Sequence, residues 1–245
     1  MSRCGSYGPR MPARIPFARA LFALGLLVVA SGCVAPGYSS DKEMLFEDKL
    51  HIEPRFGVFI PQEGDFSEGT VIATRLSYQY DYGSYLSIDL SATEDVEQEG
   101  TAPNVTSVNN IRDLEHLVLS ESDRRSAVFS LDWDYPFSEN ERVPYLRWGI
   151  GLGVLNTLNG TNPTVRSDLI SLGAGRVSVK DQVMILVRPT LGLFWAPADD
   201  LSFFVDAQYD YAESKVRVSV DGEDFKTGVI DFGGINVLVG LSYSF

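Results

Sequence analysis

The stretch Ile235-Asn236-Val237-Leu238-Val239-Gly240-Leu241-Ser242-Tyr243-Ser244-Phe245 alternates between two kinds of side chain. Its odd-numbered residues are all apolar or aromatic, whereas its even-numbered residues are small or polar apart from Leu238. A β-strand sends successive side chains to opposite faces, so this stretch predicts a strand with one apolar wall. Such a wall is typical of a strand that faces lipid on one side and the inside of a barrel on the other.

Seven further segments alternate in the same way, and no helical period of any length separates them. The eight predicted strands are residues 54–61, 70–81, 84–94, 124–136, 143–157, 183–196, 200–212 and 231–245. Short connections follow the second, fourth and sixth strands, whereas the connections at about 95–123 and 158–182 are long. Short turns on one rim and long loops on the other predict an all-β fold, an eight-stranded antiparallel up-and-down transmembrane β-barrel spanning residues 54–245.

The polar face of these strands carries both the charges and the glycines. It includes Arg75, Gln79, Asp89, Asp132, Asp134, Arg147, Arg188, Asp206, Gln208, Asp210, Gly149, Gly151, Gly153, Gly192 and Gly240. An eight-stranded barrel has room inside only for packed side chains, so long and small residues must alternate there. We therefore expect this face to point inward. Four aromatic residues are expected to form an interfacial girdle at the short-turn end: Tyr80, Tyr135, Trp195 and Tyr243.

The N-terminus has the features of a bacterial signal peptide. Residues 1–32 contain four arginines and no acidic residue, and an apolar run from Ala20 to Ala30 follows the arginines. This run is short for a membrane-spanning helix and suits a signal that is removed. The sequence therefore predicts a signal peptide at 1–32 and a periplasmic tether at 33–53.

The end of that apolar run, Ala30-Ser31-Gly32-Cys33, resembles the lipobox of bacterial lipoproteins. The resemblance implies cleavage before Cys33 and lipidation of its thiol. Val34 stands where an aspartate is associated with inner-membrane retention, so the resemblance points to the outer membrane. Ordinary secretory cleavage nearby, for example after Ala35, is the alternative.

The chain is acidic, with a formal net charge of −13. Removing the four signal arginines leaves 16 basic residues against 33 acidic ones, a net charge of 16 − 33 = −17. Nucleic-acid phosphates would be repelled by such an excess, which argues against a nucleic-acid partner.

The signal, the alternation, the loop asymmetry and the Tyr243-Ser244-Phe245 ending together resemble the small bacterial outer-membrane β-barrels of the OmpA-transmembrane-domain and OmpX type. The resemblance covers about residues 54–245 and implies an outer-membrane location with periplasmic N- and C-termini. Tyr243 and Phe245 match the ending that the barrel-assembly machinery reads. That machinery, outer-membrane lipid and lipopolysaccharide are therefore the implied partners.

Charges of opposite sign lie on neighbouring predicted strands. The connections set the registers of three strand pairs. These connections are three-residue turns at 81–83 and 196–198 and the link between the fourth and fifth strands. We expect three structural ion pairs in the lumen: Arg75 with Asp89, Arg188 with Asp206, and Asp134 with Arg147. Such pairs fill and rigidify a narrow lumen, because charges removed from water must be compensated. An ion path or a gate of exchanging salt bridges is the alternative.

An enzyme that modifies lipid A is a second alternative, and it depends on a histidine near the outer rim. His116 lies in the long loop after the third strand with Asp113 and Ser120 nearby, whereas His51 lies in the predicted tether. The spacing from His116 to Ser120 does not match the His-x-Ser of lipid A deacylases. A lone loop histidine is usually solvated, so no catalytic, cofactor-binding or metal-binding residue is predicted.

A soluble lipocalin-like lipoprotein that binds an apolar ligand is the remaining alternative. It reverses the two faces and sends Trp133, Trp148 and Trp195 inward, which overfills the lumen. We therefore favour a non-enzymatic outer-membrane barrel with a structural or surface-interaction role. The loops at 95–123 and 158–182 would present the surface to an extracellular partner.

Overall fold

The computed structural model describes residues 49–62, 66–81, 83–98, 105–138, 143–198 and 200–245. The predicted signal peptide, Cys33 and the tether as far as residue 48 lie outside the described residues. The strands are β1 (Lys49–Pro61), β2 (Gly69–Asp81), β3 (Ser84–Glu94), β4 (Leu119–Pro136), β5 (Tyr145–Thr161), β6 (Val177–Val179), β7 (Gln182–Ala198), β8 (Leu201–Asp210), β9 (Glu213–Val220), β10 (Glu223–Asp231) and β11 (Gly234–Ser244). A 3₁₀ helix, Val108–Val118, precedes β4, and helix α1, Pro163–Ser171, follows β5.

Eight strands close into an antiparallel barrel in the order β1-β11-β8-β7-β5-β4-β3-β2. The first strand pairs with both the second strand and the last, so the sheet has no free edge. The eight-stranded antiparallel barrel predicted from the alternation is thus confirmed. Within the described ranges, no helix is long and apolar enough to cross a membrane.

The first strand begins at Lys49, before the predicted start at residue 54. Leu50 is 45% exposed on the outer face, whereas the side chain of Glu53 is fully buried inside. The two-sided alternation therefore extends back through residues that were predicted to belong to the tether. His51 belongs to this strand, so its placement in the tether is wrong.

The outward face is apolar along the barrel strands, as the alternation predicts. Ile72 and Leu152 are each 63% exposed on that face, whereas Asp89 on the inward face is 0% exposed. Exposed aromatic side chains lie near the short-turn ends of their strands at Tyr80, Tyr135, Trp195 and Tyr243. This apolar outer wall is what a lipid environment requires of a barrel.

The long connections fold into a cap whose buried apolar side chains share one core with inward-facing barrel residues such as Phe59 and Leu238. Strands β10, β9 and β6 form a three-stranded sheet in that order. Buried side chains from this sheet, the 3₁₀ helix and α1 include Ile111, Val118, Val165, Leu169, Val216, Val218 and Ile230. The predicted loops at 95–123 and 158–182 therefore contain helices that pack against the sheet.

Helix α1 starts where its sequence provides an N-cap. The side chain of Asn162 accepts a hydrogen bond from the backbone N–H of Thr164 at 3.0 Å, and Pro163 follows as the first helical residue. Both features are typical of helix N-termini. The predicted loop at 158–182 thus contains the end of β5, helix α1 and strand β6.

The β9–β10 hairpin turns at Asp221 and Gly222, which have positive φ angles of 51° and 92°. Two consecutive positive φ angles match the type I′ turn that an Asp-Gly pair favours. The Asp221 carboxylate also accepts hydrogen bonds from the backbone N–H groups of Gly175 at 2.9 Å and Arg176 at 2.7 Å. The hairpin tip therefore also anchors the segment that leads into β6.

Candidate functional site: the charged lumen

Among the residues that the structure describes, five arginines and six carboxylates point into the barrel. They are Arg55, Arg75, Arg124, Arg147, Arg188, Glu53, Asp89, Asp132, Asp134, Asp206 and Asp210. Apart from Asp134, each of these residues is 3% exposed or less. Charges buried this deeply are tolerated only when they are paired and hydrogen-bonded.

Arg147 organises the short-turn end of the lumen. Its Nε donates to Oδ1 of Asp134 at 2.6 Å, and the two residues lie opposite each other in the β4–β5 register, as predicted. Its Nη1 donates to Oε1 of Glu53 at 2.9 Å. The guanidinium also lies 3.9 Å from the ring centre of Tyr85 and 4.3 Å from that of Phe194. Ion pairs and aromatic faces together fix this guanidinium.

The middle of the lumen is built around Asp89. Arg75 lies opposite Asp89 in the β2–β3 register, as predicted, and its Nε donates to Oδ2 of Asp89 at 3.2 Å. Arg55 donates from Nη1 to the same oxygen at 3.2 Å and to Oδ2 of Asp206 at 2.9 Å. Arg55 also donates from Nη2 to Glu53, which connects this level with the short-turn end.

The predicted pair between Arg188 and Asp206 is wrong. The β7–β8 register places Gly192 opposite Asp206, which moves Arg188 away from that carboxylate. Arg188 instead forms a two-pronged contact with Asp210, from Nε to Oδ1 at 2.6 Å and from Nη2 to Oδ2 at 3.1 Å. Its Nη1 donates to Oδ1 of Asp89 at 2.9 Å, so Arg188 connects Asp210 with the middle of the lumen.

Arg124 ends the network beneath the cap. Its Nη2 donates to Oδ2 of Asp210 at 3.0 Å, and its guanidinium lies 3.8 Å from the ring centre of Phe59. Within the described part of the chain, its Nε and Nη1 have no hydrogen-bond partner. The adjoining cavity measures about 10 Å³. That volume is about the space that one water molecule needs.

The ion pairs form one connected network. Counted over the described residues, ten contacts within 4 Å join all eleven charged side chains. Its main path runs from Asp134 through Arg147, Glu53, Arg55, Asp89, Arg188 and Asp210 to Arg124. Most donors and acceptors of the network are satisfied by other members of the network.

Glycines on β5 make room for this network. A Cβ added to Gly149 would lie 2.0 Å from Oδ1 of Asp132. At Gly153 the added atom would lie 2.1 Å from the backbone oxygen of Ala127. The glycines predicted to line the lumen at these positions therefore allow close approach of β4 and its charged side chains.

Three members of the network were not assigned to it from sequence: Glu53, Arg55 and Arg124. Glu53 lies before the predicted start of the first strand, and Arg124 lies at the predicted start of the fourth. One signal in the sequence could have identified Glu53 and Arg55. From residue 51 to residue 56, polar or charged side chains at odd positions alternate with apolar side chains at even positions.

The structure describes the side chain of only one of the two histidines. His51 faces inward from β1, with its ring centre 5.4 Å from that of Tyr85. The side chain of His116 lies outside what the structure describes, so the lipid A-modifying alternative that depends on this residue stays an alternative. Over the described ranges, no group of three or more His, Cys, Asp or Glu residues could hold a metal ion.

The orientation of the tryptophans contradicts the lipocalin-like alternative. Trp195 is 48% exposed on the outer wall. Trp133 and Trp148 lie opposite each other in the β4–β5 register and stack with ring centres 4.7 Å apart. The apolar face points outward and the charged face inward, which is the reverse of an apolar ligand cavity.

Comparison with solved structures identifies the architecture. OprG, an outer membrane protein from Pseudomonas aeruginosa, is similar with a TM-score of 0.55 and 14% sequence identity, over 81% of this chain and 96% of OprG. The chain has the fold of the small bacterial outer-membrane barrels. Neisserial surface protein A has a TM-score of 0.49 at 12% identity, over 81% of this chain and 97% of that protein. The fold assignment rests on the OprG similarity and the barrel topology. No protein-family model and no curated protein matches the sequence.

Proposed function

We propose that the chain is an outer-membrane barrel protein with a sealed lumen and a structural or surface-interaction role. The observation that carries this proposal is the connected charge network, which crosses the barrel from Asp134 to Arg124. An eight-stranded barrel leaves room inside only for side chains. Here those side chains hold one another in ion pairs across the barrel, which supports a sealed lumen over a path for solute transport.

The apolar outer wall supports insertion in a membrane. Outward side chains such as Ile72, Leu152 and Ile185 are 63–71% exposed. An apolar surface as continuous as this one is rare on proteins that are surrounded by water. The folded cap supports the interaction role, because it presents ordered surface above a rigid scaffold. Lipidation of Cys33, periplasmic termini and recognition of Tyr243 and Phe245 by the assembly machinery belong to the same proposal.

Cell fractionation tests the proposed location and anchor together. The full chain is expressed in a Gram-negative host as wild type and as Cys33→Ala, and the membrane fractions are run on gels with and without boiling. We expect both proteins in the outer membrane with heat-modifiable migration, because the barrel holds the protein there without the lipid. A mass shift that is lost in Cys33→Ala would identify the lipid.

Release of Cys33→Ala into the soluble periplasm would contradict an integral barrel. Identical masses for the two N-terminal peptides, apart from the substitution itself, would contradict lipidation and leave the barrel assignment intact. The two parts of the proposal can therefore fail separately.

A further inference from the structure

The exposed face of the cap sheet carries a group of cations in an otherwise acidic chain. This basic face consists of Arg176, Lys180, Lys215, Arg217 and Lys226, all exposed. Lys226 lies opposite Arg217 in the β9–β10 register, and the backbone N–H of Lys180 donates to the carbonyl of Arg217 at 2.9 Å. Lys180, directly after β6, therefore continues a row with Arg217 on β9 and Lys226 on β10.

This row is unfavourable within the protein itself. Like charges directly opposite each other on a sheet are destabilising. The Lys180 ammonium donates to Oδ2 of Asp224 at 2.7 Å, and this hydrogen bond holds the pKa of Asp224 below its ordinary value. Among the described residues, Arg217, Lys226 and Lys215 have no carboxylate within 4 Å. Asp224 also attracts Arg217 electrostatically, so one carboxylate serves more than one cation, and an external anion would supply further compensation.

The basic face lies close to the edge of the apolar outer wall. Lys180 lies three residues before Val183. The side chain of Val183 is 70% exposed on the outer face of β7. On the neighbouring segment, Lys215 follows Tyr211, which is 46% exposed, by four residues. At about 3.3 Å per residue, the chain places these cations at most about 10–13 Å beyond apolar or aromatic wall residues. The polar layer of a membrane begins within that distance.

We propose that the basic face binds the phosphate groups of a glycolipid in the outer leaflet, that is, of lipopolysaccharide. This inference rests on the proposed outer-membrane location. Lysine binds phosphate as a point charge, whereas the forked guanidinium of Arg217 at the centre of the row can contact two phosphate oxygens at once. The height of the row above the apolar wall favours a membrane-borne phosphate over a soluble polyanion.

The test measures binding of the full, detergent-solubilised chain to purified lipopolysaccharide and to the same material after its phosphates are removed. Replacing Arg217 and Lys226 by glutamine is expected to weaken binding about 25-fold, since each basic residue near a charged membrane surface contributes about a factor of five. Arg166→Gln, an exposed arginine of α1, is the matched control and is expected to bind within about twofold of wild type. Dephosphorylated lipopolysaccharide is expected to bind wild type as weakly as the double variant binds the intact lipid.

A second variant separates local binding from damage to the cap. Asp224→Asn removes the carboxylate that neutralises Lys180, so we expect it to bind intact lipopolysaccharide more tightly than wild type. A misfolded cap would not bind more tightly. Equal binding by wild type and Arg217→Gln/Lys226→Gln would overturn the inference, and so would equal binding of dephosphorylated lipid. Tighter binding of soluble dextran sulfate than of lipopolysaccharide would overturn the choice of a lipid.

Heat-modifiable migration of the same preparations keeps the two proposals distinguishable. A wild-type protein that migrates as a folded barrel but binds lipopolysaccharide independently of Arg217 and Lys226 refutes this inference alone. A wild-type protein that never forms a heat-modifiable membrane species refutes the proposed function, and the inference falls with it.

Discussion

Replacing Arg188 with alanine is expected to lower the free energy of unfolding of the folded barrel by about 3–5 kcal/mol, the cost of removing one partner from a buried ion pair. Arg188 donates to both oxygens of Asp210 and to Oδ1 of Asp89. Its loss leaves two buried carboxylates short of compensation at the centre of the network. Urea unfolding in lipid vesicles, followed by tryptophan fluorescence and heat-modifiable migration, measures the change.

Two comparisons make the Arg188→Ala result specific. Arg166→Ala removes an exposed arginine from α1 and should change the free energy of unfolding by about 0.5 kcal/mol or less. Adding Asp210→Asn to Arg188→Ala removes one of the uncompensated charges, so the double variant should lose less stability than the sum of the single variants. An unfolding curve for Arg188→Ala that coincides with wild type would contradict the ion-pair assignment.

Replacing Gly153 with alanine is expected to cost about 3 kcal/mol or more, at or beyond the upper end of the range for overpacked cores. The new Cβ would lie 2.1 Å from the backbone oxygen of Ala127 and 2.7 Å from Cα of Val128. Backbone atoms of a paired strand cannot rotate away, so β4 and β5 must separate locally. Folded yield and urea unfolding measure the effect.

Gly151→Ala is the matched control on the same face of the same strand. Its Cβ would meet Cγ1 of the Val128 side chain at 2.4 Å, with the next atom at 3.3 Å. A side-chain methyl group can move by a rotamer change, so we expect a loss of about 1 kcal/mol. Equal losses for the two variants, or a larger loss for Gly151→Ala, would show that backbone contact with β4 does not limit the size of these residues.

The barrel could be predicted from sequence because its physical requirement is local. Every strand of a membrane barrel needs one apolar face. This requirement appears in the sequence as apolar residues at every second position. The register of the β2–β3 hairpin followed from its turn, where Gly83 has a positive φ of 68°. That turn brings Arg75 opposite Asp89, as expected from the sequence.

The register of the β7–β8 hairpin could not be predicted in the same way. Pro197 suggested a turn at 196–198, but the strand continues to Ala198 and pairs it with Leu201 after an irregularity that follows Trp195. Proline is tolerated near strand ends and irregularities, so it did not mark the turn. The consequence was the wrong partner for Arg188.

The Asp221-Gly222 pair predicts the β9–β10 hairpin, but the packing of the cap could not be predicted from sequence because its contacts are distant along the chain. Buried Ile111, Val165 and Val218 come from three separate connections and share one apolar core. Each connection alone shows only a few apolar residues among polar ones. The row on the basic face depends on the same assembly, since β6 meets β9 only when the connections fold together.

The most direct test of a sealed barrel is the ionic current through single inserted molecules in a planar lipid bilayer. Purified full-length protein is reconstituted, and heat-modifiable migration of the recovered protein verifies that it is folded. We expect no stable conductance steps above the bare membrane, because the network from Asp134 to Arg124 occupies the lumen. Reproducible, long-lived conductance steps from the folded wild-type protein would contradict the sealed lumen and favour an open pore.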